Sequence, residues 1–334
     1  MATIYEVARQ AGVSPKTVAR ILAGEQGRPR NRERVLAAAR KLGYVRNQQA
    51  ANLRSGKSGL LGVIVPDISN PFYPVFFQSI HESAAGYNYQ ILLSSTFGKI
   101  SEEVHALRTF EVNRVEGIIL NAAEGEADDE CNSIIERFIN RGVPVVLAGR
   151  PARNLPVDEI VIQNTSATER ATNYLLKIGH RKIAFITGSA STLASSERRS
   201  GFERALKAAS IDIKKRWMLY GDFTAESGRQ YAHQILTSTN RPTAIVAAND
   251  LIALGAIRAC HELKLRVPED VAIIGFDDIA VAQLVTPALT TVRQPQRQIA
   301  REVVALLMDR IQSRDLSNPR RLAYELELII RESA

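Results

Sequence analysis

The chain opens with two short helical patterns of apolar and polar positions, separated by a turn. Four apolar positions of the first pattern lie on one helical stripe: Ile4, Val7, Ala8 and Ala11. Thr3 and Glu6 form a capping box, which predicts that the first helix begins at residue 4. Gly12 lies where the chain must turn, and Ser14 followed by Pro15 is an N-cap with a first-turn proline. A second helix is therefore predicted to begin at Pro15.

The second helix has an apolar side and a polar side. Its apolar positions keep helical spacing and predict the side that packs on other helices: Val18, Ile21 and Leu22. The side chains left to point outward are Lys16, Thr17 and Arg20. This arrangement indicates a helix-turn-helix whose second helix is the recognition helix. The alternative is an ordinary pair of short helices with a solvated basic face.

The charge distribution separates these alternatives. The first 60 residues carry twelve Lys and Arg side chains against three Glu, a net charge of +9, whereas the whole chain of 334 residues carries +8. The basic excess therefore belongs to one end of the chain. A segment that binds the phosphate backbone of DNA explains this asymmetry.

A third helix predicted over 31–42 completes a small bundle, and the segment 47–59 is interpreted as a linker that contains a short helix beginning at Asn47. So short a helix, with few apolar residues, is marginal in water, and a partner must order it. Leu53 beside Arg54 suits an apolar wedge that enters the minor groove of DNA. The alternative is a plain flexible linker.

From residue 60 onward, predicted strands alternate with predicted helices. The first series has strands at 60–65, 90–94, 117–121 and 144–148, with helices at 73–86, 101–114 and 131–141. The second series has strands at 182–187, 216–220, 243–248 and 271–276, with helices at 165–178, 197–209, 227–237 and 250–263. The chain closes with a strand at 290–292, a helix at 296–312 and a strand at 322–330. Continuous apolar strands joined by helices predict two doubly wound subdomains with parallel sheets.

A cleft between two such subdomains is the expected ligand site, because ligands of open parallel sheets bind beyond the carboxyl ends of the strands. The loops expected to line it begin at Pro66, Ala148, Thr187, Asn249 and Phe276.

The composition excludes several classes of protein. Cys131 and Cys260 are far apart and have no His or Cys at metal-ligand spacing, so we predict neither a disulfide framework nor a metal site. The first residues lack a signal-peptide pattern, and no apolar run approaches the roughly 18 residues of a membrane span. We therefore expect a soluble, cytoplasmic protein that needs no membrane and no cofactor.

Several segments together resemble the LacI/GalR family of transcriptional regulators, over essentially the whole chain. Near the start they are Thr-Ile-Tyr-Glu-Val-Ala at 3–8, Ala-Gly-Val-Ser at 11–14, Thr-Val-Ala-Arg at 17–20 and Leu-Gly-Tyr at 42–44, with Asn47 after it. Further on they are Gly-Val-Ile-Val-Pro-Asp at 62–67, Asn-Pro-Phe at 70–72, Gly-His at 179–180, Asn-Asp at 249–250 and Ile-Gly-Phe-Asp at 274–277. Their order and spacing make the resemblance specific.

The resemblance implies an α/β fold with a helix-turn-helix headpiece, a hinge helix and a core similar to periplasmic sugar-binding proteins. The expected divisions are a headpiece at 1–46, a hinge and linker at 47–59, and a core at 60–334 that binds the effector and dimerises. Within the core, the first subdomain is expected at about 60–161 and 292–320, and the second at about 162–291 and 321–334. The resemblance also implies that the protein is a homodimeric repressor that binds a pseudo-palindromic operator. The chain ends soon after its last predicted strand, so a dimer is expected rather than a tetramer.

The resemblance assigns DNA contacts to ten positions: Thr3, Ser14, Pro15, Lys16, Thr17, Arg20, Asn47, Asn52, Leu53 and Arg54. Lys16 and Arg20 are chemically able to read guanine edges in the major groove. Ser14 and Thr17 are expected on phosphates. Leu53 matches the hinge leucine that intercalates at the central base step.

The resemblance also assigns effector contacts in the core, at Phe72, Tyr73, Arg198, Phe223, Asn249 and Asp277. Three of these have structural alternatives. Phe72 could belong to the core, Asp277 could cap a helix, and Arg198 could form a surface ion pair.

Two departures from the family pattern bear on the effector. Gln163 precedes Asn164 where many members have an aspartate, and the strand ending at Ala148 continues into Gly149 and Arg150 rather than an acidic pair. We therefore add Arg150 to the expected effector contacts. Fewer acidic groups and one more arginine would tolerate an anionic effector, so a sugar or a sugar acid is expected.

Two other classes of protein compete with a regulator. A sugar-binding receptor or transport protein would suit the core alone, but the basic first 60 residues and the missing export signal oppose it. An enzyme could use the segment 187–189 for a phosphate or Asp277 and Asp278 as a carboxylate pair. Adjacent side chains usually point apart, however, and the sequence has no nucleophile-elbow or Walker pattern. We predict that the protein is not an enzyme.

Overall fold

Three helices form the first unit of the chain. The computed structural model describes residues 2–22, 28–44, 58–121, 129–152 and 155–334, and internal contacts divide the chain into Met1–Ser58 and Gly59–Ala334. The helices of the first unit are α1, Ile4–Ala11, α2, Pro15–Leu22, and α3, Pro29–Lys41. Their buried side chains form one small apolar cluster: Val7, Ala8, Ala11, Val18, Ile21, Val35, Ala38 and Ala39.

The predicted beginnings of α1 and α2 are confirmed by hydrogen bonds at their caps. The Thr3 backbone N–H donates to Glu6 Oε2 at 2.6 Å, and the Glu6 N–H donates to Thr3 Oγ1 at 3.3 Å. Gly12 ends α1 with a left-handed φ of +62°, which costs glycine little because it has no Cβ. Ser14 Oγ accepts a backbone N–H of the first turn of α2 at 3.2 Å. The third helix begins at Pro29, earlier than predicted, because proline fits the first turn of a helix.

The second unit is an alternation of strands and helices. Its strands are β1, Leu60–Val65; β2, Gln90–Ser95; β3, Gly117–Asn121; β4, Val145–Ala148; β5, Asp158–Ile162; β6, Ile183–Thr187; β7, Met218–Tyr220; β8, Ala244–Ala247; β9, Ala272–Asp277; β10, Thr290–Arg293; β11, Arg321–Tyr324; and β12, Glu327–Ile329. Its α-helices are α4, Phe72–Ala85; α5, Ile100–Asn113; α6, Asp129–Asn140; α7, Asn164–Lys177; α8, Leu193–Ala208; α9, Ala225–Leu236; α10, Asp250–Glu262; and α11, Gln296–Ser313. Short 3₁₀ turns lie at Lys215–Trp217 and Ala280–Gln283.

These strands form two sheets with the same strand order. In the described part of the chain the first sheet runs β11-β5-β4-β3-β1-β2 and the second runs β12-β10-β9-β8-β6-β7. Neighbouring strands are parallel except β10 and β12, which are antiparallel. Apolar clusters cover both sheets, and the strands from the predicted apolar runs are largely buried, except the edge strands β2 and β7, which are partly exposed. The prediction of two doubly wound subdomains is confirmed.

The end of the chain differs from the prediction. The expected strand 322–330 is two strands, because the chain passes from the first sheet to the second between β11 and β12. Residues 321–324 therefore lie in the sheet of the first subdomain, and the expected assignment of 321–334 to the second subdomain is wrong for them. Residues 292–293 likewise belong to β10 of the second sheet rather than to the first subdomain. The sequence from 321 to 330 carries no break at the crossover because its alternating pattern suits either sheet.

Strand β5 was not predicted, because it begins with two acidic residues instead of an apolar run. Asp158 is nevertheless buried, since Arg310 of α11 donates to both of its carboxylate oxygens, with Nε at 2.9 Å and Nη2 at 2.8 Å. Burial would raise the pKa of Asp158, but the hydrogen bonds from Arg310 and from the Arg320 backbone hold this pKa below its usual value. A buried ion pair thus takes the place of an apolar side chain at the start of this strand.

Candidate functional site

A cleft of about 390 Å³ lies at the carboxyl ends of strands from both sheets of the second unit. This volume is within the range of small-molecule sites. The first sheet and its helices contribute, among others, Asp67, Asn70, Phe72, Tyr73, Phe97 and Asn121. The second contributes, among others, Ser189, Thr192, Arg198, Asp222, Phe223 and Asp277, and Gln294 lies where the chain crosses back to the first subdomain.

Arg198 is the cation of the cleft, and it is held from several sides. It is 6% exposed on α8, and its guanidinium carbon lies 3.6 Å from the ring centroid of Phe276. Its Nε donates to Asn164 Oδ1 at 3.0 Å, and its Nη1 donates to the carbonyl of Ala248. Burial lowers the pKa of Arg198, but an arginine stays protonated at neutral pH. The alternative of a surface ion pair is wrong for this side chain.

Asp277 ends β9 beside this guanidinium. Its Oδ1 lies 3.7 Å from Arg198 Nη2 and accepts a hydrogen bond from Gln294 Nε2 at 2.6 Å. Burial raises the pKa of Asp277 to about 6, although Arg198 and Gln294 oppose the shift. The first N–H of the following turn, at Ile279, donates to Asp250 Oδ2 instead. The contacts of Asp277 are thus those of a cleft residue and not those of a helix cap.

Aromatic side chains line the cleft from both subdomains. Phe72 and Tyr73 begin α4, with ring centroids 5.0 Å apart at an interplanar angle of 82°. Phe72 is buried in an apolar cluster and also lines the cleft, so it is both a core residue and a cleft residue. Burial raises the pKa of Tyr73. Phe223 lines the same cleft from the loop after β7.

In the first unit, α2 presents the predicted DNA-contacting side chains on the side away from its apolar cluster. Lys16 and Arg20 are exposed, whereas Val18 and Ile21 are buried. The hydroxyls of Ser14 and Thr17 lie 2.9 Å apart. Pro15 begins the helix and Thr3 is exposed at the cap of α1. The four predicted contacts in the hinge segment, Asn47, Asn52, Leu53 and Arg54, lie outside the described residues.

Comparison with known proteins decides the family. The profile described as "Bacterial regulatory proteins, lacI family" matches residues 3–47, and the profile "Periplasmic binding protein-like domain" matches residues 172–334. The chain is 34% identical to the HTH-type transcriptional regulator DegA of Bacillus subtilis, over 90% of this chain and 88% of that protein. It is 34% identical to Catabolite control protein A of Priestia megaterium, over 91% of each. It is 32% identical to the repressor PurR of Yersinia pestis, over 100% of this chain and 97% of that protein.

The chain belongs to the LacI family. Among solved structures, the Lac repressor dimer bound to operator and the anti-inducer ONPF superposes with a TM-score of 0.84 at 28% identity, covering 99% of this chain and 98% of that one. The transcriptional regulator CelR in its cellobiose complex superposes with a TM-score of 0.73 at 32% identity, covering 100% of both chains. The protein is therefore a DNA-binding transcriptional regulator with an effector-binding core, and it is not an enzyme. The match to the DNA-binding profile overturns the alternative of a receptor without DNA function.

Two of the expected effector contacts of this LacI-family regulator lie behind the cleft wall. Asn249 caps α10, where its Oδ1 accepts the Ile252 N–H at 2.9 Å, and its Nδ2 donates to the Phe223 carbonyl at 3.0 Å. Asn249 therefore positions Phe223 and does not line the cleft. Arg150 is buried against α5, where its Nη1 lies 2.8 Å from Glu103 Oε1. The cleft is lined by Gly149 in its place.

The sequence reasoning missed several cleft residues of this LacI-family regulator. Asp67 and Ser189 lie in loops that were expected to line the cleft, but neither side chain was singled out. Asn121 ends β3, and the rule of strand carboxyl ends could have found it. Asp222 and Gln294 follow the short strands β7 and β10, whose loops were not among those expected to line the cleft. Burial would raise the pKa of Asp222, but hydrogen bonds from Thr224 hold it below its usual value. Asp222 is thus a stable negative charge at the cleft.

The described residues contain no cluster of His, Cys, Asp and Glu able to hold a metal ion. Within the same residues, none of the helices has both the length and the apolar character that crossing a membrane requires.

Proposed function

We propose that this LacI-family regulator is a cytoplasmic homodimeric repressor whose affinity for a pseudo-palindromic operator changes when a neutral sugar binds in the cleft. The observation that carries the proposal is the pairing of buried Arg198 with Asp277 at a cleft to which both subdomains contribute side chains. Arg198 and Asp277 both belong to the second subdomain, so a ligand that binds them and also reaches lining residues of the first, such as Asn70 and Tyr73, contacts both subdomains at once. Its binding energy can therefore favour one arrangement of the subdomains over another.

The chemistry of the lining supports a polyhydroxylated ligand. Polar groups such as Asn70, Asn121 and Thr192 can exchange hydrogen bonds with hydroxyls, and Tyr73 and Phe223 offer faces for the apolar side of a sugar ring. Relatives support the same class, since CelR is described in complex with cellobiose and the Lac repressor with the ligands ONPF and ONPG.

The charge of the lining disfavours a sugar acid. Asp67, Asp222 and Asp277 line the cleft against the single guanidinium of Arg198 among the described lining residues. Arg150, which prompted the expectation that an anionic effector would be tolerated, is occupied by Glu103 outside this lining. A carboxylate or phosphate on the effector would meet a net negative surface. We therefore narrow the effector to a neutral sugar.

On the DNA side, we propose that Lys16 and Arg20 read base edges and that Ser14 and Thr17 contact phosphates, with Thr3 and Pro15 at the same surface. For the hinge segment we propose, from the sequence alone, that Leu53 is an apolar wedge flanked by contacts from Asn47, Asn52 and Arg54. One headpiece is too small for tight specific binding, so two half-sites must share the work. The functional division proposed is a headpiece at 1–46, a hinge at 47–59 and the remaining core.

The test uses the purified full-length protein and a panel of neutral sugars, sugar acids, nucleosides and purines. Ligand binding raises thermal stability by mass action. A neutral sugar that stabilises the protein and shifts its affinity for upstream intergenic DNA is the expected result. Stabilisation by sugar acids or purines alone would contradict the neutral-sugar assignment, and a hit that leaves DNA affinity unchanged would contradict the coupling.

The matched control for the panel is Arg198→Ala, which removes the cation of the cleft. We expect this variant to lose the response to the stabilising sugar while its headpiece still binds DNA. Retained sugar binding in Arg198→Ala would show that the ligand occupies some other site.

A further inference from the structure

Phe97 is a large apolar side chain that the cleft leaves open to solvent. It is 66% exposed and lines the cleft from the loop that follows β2. Its backbone takes a left-handed φ of +51°, which a phenylalanine adopts only at a cost, and Gly98 follows at +73°. Among the described residues, Phe97 belongs to no apolar cluster and stacks on no other ring. No packing contact given for the described part of the chain therefore accounts for an aromatic ring held in this way.

The second subdomain has an equivalent residue. The two sheets share one strand order, in which β2 and β7 occupy the same edge position. Phe223 follows β7 as Phe97 follows β2, it also has a left-handed φ, of +64°, and it lines the same cleft. The repeated fold thus brings two phenylalanines with the same unusual backbone to one cleft, one from each subdomain.

The two residues differ in how firmly they are held. A Cβ added to Gly188 would lie 2.0 Å from the ring of Phe223, so this ring packs directly on the backbone of the neighbouring loop. The Phe223 carbonyl also accepts a hydrogen bond from Asn249. Phe223 is a fixed aromatic surface, whereas Phe97 keeps most of its apolar area available for a ligand.

We propose that Phe97 and Phe223 form an aromatic pair that encloses the effector, and that Phe97 selects neutral glycosides with a second ring, sugar or aryl, over single-ring sugars. The inference rests on the proposed neutral-sugar effector and specifies which sugars bind. Phe223 supplies the permanent stacking face for one ring. Phe97 gains its packing partner when the second ring of the ligand covers it, so its apolar area contributes to binding and not to the unliganded fold.

The test measures binding of one-ring and two-ring probes to the full-length protein by calorimetry. The probes are the methyl glycosides of glucose and galactose, cellobiose, lactose and the o-nitrophenyl glycosides of the same two sugars. In the wild type, the best two-ring probe should bind roughly tenfold more tightly than its methyl glycoside, as expected when a buried aromatic contact is added. In Phe97→Gly this preference should fall to about threefold or less, with little change for the methyl glycoside.

A second readout separates ligand selection from a structural role. Glycine accepts a left-handed backbone without strain, and the ring it replaces is mostly exposed, so unliganded Phe97→Gly should melt no lower than the wild type. Val112→Ala, which shortens another apolar side chain that is 83% exposed on the same subdomain and outside the cleft lining, is the control and should keep the preference.

Any one of three results would overturn the aromatic pair. They are a wild type that does not prefer two-ring probes, a Phe97→Gly variant that keeps the preference, and a clear fall in the melting temperature of Phe97→Gly without ligand. None of these results contradicts the neutral-sugar effector as long as the methyl glycoside still binds. If no neutral sugar binds the wild type, both the effector assignment and the aromatic pair are wrong.

Discussion

At the scale of single residues, the main feature of the cleft is a pair of buried charges, Arg198 and Asp277, that lie near each other without a direct hydrogen bond. Arg198 Nη2 and Asp277 Oδ1 are 3.7 Å apart, and each group has nearer partners, Asn164 for the guanidinium and Gln294 for the carboxylate. The pair therefore keeps donor and acceptor capacity that a ligand with adjacent hydroxyls can use. The hydrogen bonds with Asn164 and Gln294 hold the two side chains in position.

Asp277 makes the stability of the protein depend on pH in a predictable direction. Its pKa rises from 3.8 to about 6 on folding because the carboxyl group is buried. A raised pKa means that the stability it contributes is fully present below pH 4 and is lost as the pH rises through 6. A change in pKa from 3.8 to about 6 corresponds to about 3 kcal/mol in the free energy of unfolding.

The prediction concerns Asp277→Asn, which cannot ionise at this position. Relative to the wild type, the variant should gain about 3 kcal/mol in the free energy of unfolding between pH 4 and pH 7, with the gain complete above pH 6. Urea unfolding at a series of pH values measures this difference. Buried Asp250 contributes to it as well, because the charge of Asp277 helps to raise the pKa of Asp250 and is removed in the variant. A difference that stays constant with pH would show that Asp277 titrates normally in the folded state.

At the scale of elements, the position of α8 depends on a close approach of two helices. Gly201 lies one turn after Arg198, and a Cβ added to it would lie 2.1 Å from the carbonyl oxygen of Thr165 on α7. Helices α7 and α8 can pack this closely only because this position has no side chain. Gly201 therefore sets the distance between α8 and α7, and with it the position of Arg198 at the cleft.

Replacing this glycine should damage stability and effector binding together. Gly201→Ala should lower the free energy of unfolding by about 1–3 kcal/mol because the helices must separate. It should also weaken sugar binding, since α8 carries Arg198 away from Asp277. Denaturant unfolding and calorimetry measure the two effects. Gly86→Ala is the matched control, because its nearest neighbouring atom would lie 3.4 Å from the new Cβ, and it should alter neither quantity.

The elements also show what the sequence could and could not predict. Strands such as β1 and β3 were predicted because parallel strands covered on both faces need continuous apolar runs. Strand β5 was missed because an ion pair between Asp158 and Arg310, 152 positions apart, replaces an apolar contact there. Local patterns do not contain such distant pairing. The placement of Arg150 failed for the same reason, since its partner Glu103 is visible only in the folded chain.

At the scale of the whole molecule, the protein combines a small basic unit with a core whose two halves repeat one topology. The first 60 residues carry the net positive charge, and the core carries the cleft. A regulator needs the two to communicate, and the chain between them is the segment 47–59. We propose that this segment, with its Leu53, is ordered together with DNA and is the element through which the core changes operator affinity.

This coupling predicts a specific defect for Leu53→Ala. An apolar wedge contributes base-step insertion but no phosphate contact, so its loss should weaken operator binding roughly tenfold or more without changing how strongly the affinity depends on salt. Lys57→Ala is the matched comparison in the same segment: if Lys57 contacts a phosphate, its removal should lower the salt slope by about one. Both variants should bind the effector as the wild type does, because the cleft is built from other residues. Operator titrations at several salt concentrations, with effector calorimetry alongside, distinguish these outcomes, and unchanged operator affinity in Leu53→Ala would rule out the wedge.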